Sequence, residues 1–111
     1  MAAEVEGQIT IRDGCVYLTA PGGDHPVIFP YGTGWDEAQQ AVVLSSGEVV
    51  RDGDWIYNGG GGGVTLRPDA DEWYGFELAA GLRRCLANAD VADYITELGW
   101  GGGTVSKIEP P

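Results

Sequence analysis

Cys15, with Asp24 and His25 further along the chain, supplies the residue types of a nucleophile, a base and an orienting carboxylate. In such a set an imidazole draws the proton from a thiol, and the carboxylate fixes the imidazole. The surroundings do not support that chemistry. No nucleophile pattern surrounds Cys15, and His25, the sole histidine, stands in the turn-rich "PGGDHP", where an exposed loop histidine is expected. The acidic pairs Asp36-Glu37 and Asp71-Glu72 are adjacent, so their side chains diverge, whereas glycoside hydrolysis needs two carboxyl groups converging across a cleft. The sequence assigns no catalytic residue and no cofactor, and the chain reads as a non-enzyme.

Ligand chemistry is suggested next by "DWIYNGGGGGVTLRP", residues 54–68. A phosphate-binding glycine loop needs a helix directly behind it, whose first N–H groups point at the anion, and its nucleotide form needs Lys-Ser or Lys-Thr. Here "VTLRP" follows, and the sole lysine is Lys107. The run is therefore expected to be a glycine-rich loop joining two strands, either a hairpin tip or a point of close backbone approach. Asp52, Asp54 and Asn58 offer hard oxygen ligands, but Ile56 stands where a calcium loop needs another ligand, and no closing Glu follows. No metal site is assigned.

Aromatic residues carry the stronger signal, since 4 Trp and 5 Tyr are many large rings for 111 residues. Much of this area is expected in the core. In "FPYGTGWDE", however, Tyr31 and Trp35 lie on a Pro- and Gly-bounded loop, and Trp and Tyr held rigidly on loops are the usual anchors of protein contacts. Tyr31, Thr33, Trp35, Asp36 and Trp55 are the candidate binding residues.

The elements that must carry these residues are mostly strands. "GQITIR" alternates Ile9 and Ile11 with polar residues, and "CVYLTA" follows across Asp13-Gly14, so residues 7–20 predict a hairpin. "VIFPY" resumes a strand that Pro30 confines to an edge or an end. Apolar runs broken at Ser46-Gly47 and Asp52-Gly53 complete a β-rich region over about residues 7–67. "IRDGCVYL" and "VRDGDWIY" echo each other, which predicts one turn chemistry used twice. A helical segment is expected over 69–98. Its first helix spans about 70–87, with Asp69 and Glu72 as an acidic capping pair and Gly75 and Gly81 as weak points. A second short helix follows from Val91, Tyr94, Ile95 and Leu98 on one face, with a strand over "DYITEL" as the alternative. Residues 103–108 offer a closing strand. The chain thus predicts a single domain over 1–111, mainly β with a late helical segment: a small OB-like β-barrel, or alternatively a compact α+β domain.

Composition limits the partners. With 17 acidic and 6 basic residues the formal net charge is -11, which repels nucleic-acid phosphates and anionic lipid. No apolar run reaches membrane-spanning length, and the start lacks the basic and apolar regions of an export signal, so a cytoplasmic protein is expected, or an exported one if a leader has been removed upstream. Cys15 and Cys85 leave two alternatives: one bridge, closing a loop of about 70 residues and contributing about 4 kcal/mol, or two buried thiols in a reducing cytosol.

"GQITIRDGCVYL", "VIFPYGTGWD" and "AVVLSSGEVVRDGDWIYNGGG" together resemble a small OB-like β-barrel domain of uncharacterised bacterial, especially actinobacterial, proteins. The resemblance covers residues 7–63, and more loosely Arg84-Cys85 and Tyr94-Ile95. It implies that the glycines at 59–61 close a strand at the barrel wall and that Cys15 and Cys85 match cysteines paired in exported relatives. The chain departs in lacking an export signal and a lipoprotein cysteine near its start. The family implies no activity. The leading expectation is therefore a β-rich module binding an unidentified protein or small ligand through the loop from Pro30 to Asp36 and the nearby glycines. The alternative is an acidic inhibitor or immunity-type protein steered onto a basic partner.

Overall fold

A computed structural model describes residues 3–19, 23–30, 32–65, 76–89, 94–99 and 104–110. The predicted hairpin is β1 (Ala3–Arg12) and β2 (Cys15–Thr19), in the register Ile9↔Leu18 and Ile11↔Val16. Asp13 (φ 54°) and Gly14 (φ 75°) both occupy the left-handed region, the type I′ geometry whose twist matches that of the strands it joins. β3 (His25–Ile28) starts inside the predicted loop and ends before Pro30. There follow β4 (Gly34–Asp36), β5 (Ala41–Val43), β6 (Val49–Val50) and β7 (Trp55–Thr65). Helix α1 (Phe76–Ala87), β8 (Tyr94–Leu98) and β9 (Val105–Ile108) complete the described elements.

The protein is mainly β and barrel-like. β1 pairs with β2, β2 with β3, β3 with β8 in parallel, β8 with β7, and β7 back with β1. These five strands close a circuit, which removes the free edges an open sheet would expose. β9 adds beside Trp55–Asn58 of β7 and stands outside the closed circuit. β4, β5 and β6 form a separate three-stranded sheet in that order. Ile9, Leu18, Val27, Val42, Val50, Ile56 and Leu98 share one core cluster, so the two sheets pack on common apolar side chains.

Three sequence expectations need correction. The second short helix does not form over 94–98. Tyr94–Leu98 is a strand held by β3 on one side (Val27↔Thr96) and β7 on the other (Val64↔Ile95), with Ile95 and Thr96 buried. Two ladders outweigh a helical spacing that the same apolar residues also satisfy; Asp69, Glu72 and Gly75 of the first helix lie outside the described residues. The five glycines are not a loop between strands but the interior of β7, where Gly61, Gly62 and Gly63 pair with Leu98, Glu97 and Thr96. Lastly, the echoed Arg-Asp-Gly turns differ. At 51–54 Gly53 alone adopts a positive φ, the Gly53 N–H donates to Ile9 O (2.8 Å), and the Ile11 N–H donates to the Asp52 carboxylate (2.8 Å), so this turn is pinned against β1.

Buried Asn58 ties the residue after β8 to the residue before β9. Its Oδ1 accepts from the Gly99 N–H (3.4 Å), and its Nδ2 donates to Thr104 O (3.5 Å). A polar side chain is tolerated there because both ends of the amide have partners.

Candidate functional site

The antiparallel ladder between β2 and β3 records Leu18↔His25 and Tyr17↔Pro26 and goes no further. Beyond Pro26, Val27 and Ile28 pair with β8 instead, while Val16 stays with β1. The parting strands leave an apolar groove of about 280 Å³. Val16, Val27, Ile28 and Phe29 form one wall; Pro30, Thr33, Gly34, Trp35 and Val42 complete it from the small sheet and the segment leading to it. This volume lies at the lower end for ligand sites and suits one or two side chains or a small apolar fragment.

Trp35 stands at the rim with 39% of its surface exposed, the sole exposed large apolar side chain among the described residues. Its indole Nε1 donates to Glu37 Oε2 (2.6 Å), which fixes the ring's direction. Asp36 accepts from the Gln39 backbone N–H (3.1 Å) and from Gln39 Nε2 (2.7 Å); these bonds hold its carboxyl below the usual carboxylate range. Arg51 in turn donates to Gln39 Oε1, so the rim combines an aromatic ring with two ordered carboxylates.

Of the predicted binding residues, Thr33 and Trp35 line the groove, and Asp36 adjoins it through β4. Trp55 does not belong. It lies half-buried in β7, paired with Gln8 and Ile108. The glycine run is likewise absent from the lining, and Tyr31 lies outside the described residues. The apolar wall of Val16, Val27 and Phe29 was missed because each reads as an ordinary strand or core residue; only the parting of β2 from β3 exposes them together.

The nucleophile candidates are used structurally. Cys15 is bonded to Cys85 with a Cα–Cα distance of 5.7 Å, so it carries no free thiol. His25, expected to be an exposed loop residue, is instead buried in β3, with Nε2 at 2.6 Å from Thr96 Oγ1. Burial lowers its pKa, against weaker opposing effects of a backbone hydrogen bond at Gly23 and of Asp24. Among the described residues no three His, Cys, Asp or Glu side chains are grouped as a metal site, and no helix is long and apolar enough to cross a membrane.

The bridge belongs to a cluster fastening the end of α1 to the hairpin. Tyr17 Oη donates to Cys85 O (2.9 Å), Arg12 donates to Asn88 O (3.0 Å) and Asp24 (2.7 Å), and Arg84 donates to Asp13 O (2.9 Å). The Arg12 guanidinium also lies 4.0 Å from the centre of the Tyr17 ring. Arg12 and Arg84 place positive charge at the negative dipole end of the helix. Desolvation is the largest influence on Tyr17 and raises its pKa.

Compared with protein-family models, with curated proteins and with solved structures, the chain matches none, so its function is argued from the site itself.

Proposed function

We propose that this protein is a non-enzymatic binding module of the OB-like kind that takes an apolar group of a partner into the groove between β2, β3 and β4. The observation that carries this reading is the union of a lined concavity with its exposed aromatic rim: Val16, Val27 and Phe29 below, Trp35 above. Burying the exposed part of an indole on a partner is the commonest source of concentrated binding energy. The described lining offers Thr33 as its one side-chain hydroxyl and no titratable group, which favours binding over proton transfer. The Cys15–Cys85 bridge favours work in an oxidising compartment.

The reading is tested by titrating the 15N-labelled protein with a panel of small apolar and aromatic solutes and short peptides. Amide shifts are expected at residues 33–36, 16, 27 and 42, with Trp35→Ala weakening the responding ligands by about tenfold or more. Trp35 is 39% exposed and its indole is bonded to Glu37, so urea unfolding of Trp35→Ala accompanies the titration and binding is compared only under conditions where the variant is folded. Shifts confined to other surfaces, or undiminished affinity in Trp35→Ala, would sink the proposal.

A further inference from the structure

We propose that the groove's occupant is an extended, basic segment of a partner protein, with an aliphatic side chain seated in the groove and flanking Lys or Arg side chains against Asp36 and Glu37. This rests on the binding reading above. Three observations select the occupant. The space of about 280 Å³ admits one or two aliphatic side chains and is too small for the face of a helix. β4 is a terminal strand of the order β4-β5-β6, and no described strand pairs with its outer edge, so a strand added there would point alternate side chains one way into the groove and the other way to the rim.

The third observation is charge. The carboxylates of Asp36 and Glu37 follow Trp35 directly and are held in place by Gln39, Gln40 and the indole. They stand on a molecule of net charge -11, so a basic segment gains both local pairing and long-range steering, while an acidic one is repelled. The three-residue length of β4 limits backbone pairing to a short register, so recognition would rest on the seated side chain and the charges beside it.

The test uses the full chain and a fluorescently tagged pentapeptide alternating lysine with valine, with serine–valine and glutamate–valine versions and n-hexanol as comparators. The lysine peptide is expected to bind at least about tenfold more tightly than the glutamate peptide and to weaken by about threefold or more between roughly 0.05 and 0.3 M NaCl. Asp36→Asn and Glu37→Gln keep the side-chain shape, but each turns one of two accepting oxygens into an N–H donor, so each should reduce lysine-peptide affinity by roughly two- to fivefold and n-hexanol affinity by clearly less. If n-hexanol or the serine peptide shifts the groove amides and the lysine peptide binds no better than the glutamate one, the basic-segment inference falls and the binding groove stands. If no probe shifts the groove amides, both fall.

Discussion

At the scale of single residues, His25 shows how burial converts a supposed loop residue into a pH-dependent part of the core. Its neutral ring lies against Thr96 between β2 and β8, and desolvation lowers its pKa. The unfolded chain, with an ordinary histidine value of about 6.5, therefore binds a proton that the folded chain resists. Stability from this group is complete above about pH 6.5 and falls as the pH drops below it toward the lowered folded value. Thermal melts from pH 7.5 to 5 should show a larger decline in the native chain than in His25→Gln; parallel declines would remove His25 as the cause. Glycines offer a contrast decided by space. A Cβ at buried Gly7 would stand 2.8 Å from Leu18 Cδ1 and 3.4 Å from Leu18 Cγ, so Gly7→Ala should cost about 1–3 kcal/mol through overpacking. At Gly81, inside α1, a Cβ meets no atom within 4 Å, and Gly81→Ala should stabilise by about 1 kcal/mol in urea unfolding.

Between residues and the whole fold lie the elements, and here the sequence was legible where structure is local. The hairpin of β1 and β2 is written in alternating apolar residues and in Asp13-Gly14, all within one short stretch. β8 was ambiguous because Tyr94, Ile95 and Leu98 suit one helical face, and its strand form depends on β3 and β7, distant in sequence. The glycine run carries no side-chain pattern at all, so nothing in it announces a strand; its pairing with Glu97 and Thr96 comes from a neighbouring strand distant in sequence. Thr33 and Trp35 could be picked out by their loop chemistry, but their apolar counterpart at Val16 and Val27 arises from a ladder that stops, which no local pattern encodes. The cysteines were a similar case. Their pairing follows from where α1 docks, and its loss should cost about 2–5 kcal/mol in urea unfolding of a Cys15→Ser, Cys85→Ser double variant. The Tyr17 and Arg84 hydrogen bonds would still guide the helix to the same place, so the variant should retain near-native spectra of the barrel amides. A loss below about 0.5 kcal/mol would show the bridge to be unimportant to the folded state.

For the whole molecule the governing quantity is charge. Arg12 pairs with Asp24 at 2.7 Å and Lys107 with Asp54 at 3.2 Å, yet 6 basic residues cannot balance 17 acidic ones. Even if every cation were paired, the excess of -11 would remain on a small domain, and folding brings those carboxylates closer than they stand in the unfolded chain. The repulsion extends about 30 Å at 0.01 M salt but only about 8 Å at 0.15 M. Screening should therefore weaken repulsion across the molecule more than it weakens close pairs such as Arg12–Asp24, and the melting temperature at pH 7 should rise as NaCl increases from about 0.01 to 0.15 M. The same change should diminish the response to a basic peptide at the groove, because steering and stability then draw on the same unbalanced field in opposite directions. A melting temperature that stays flat or falls over this range would mean that the acidic residues are balanced locally by favourable contacts, and it would remove the long-range part of the charge argument while leaving the pairing at Asp36 and Glu37 to be judged by their own variants.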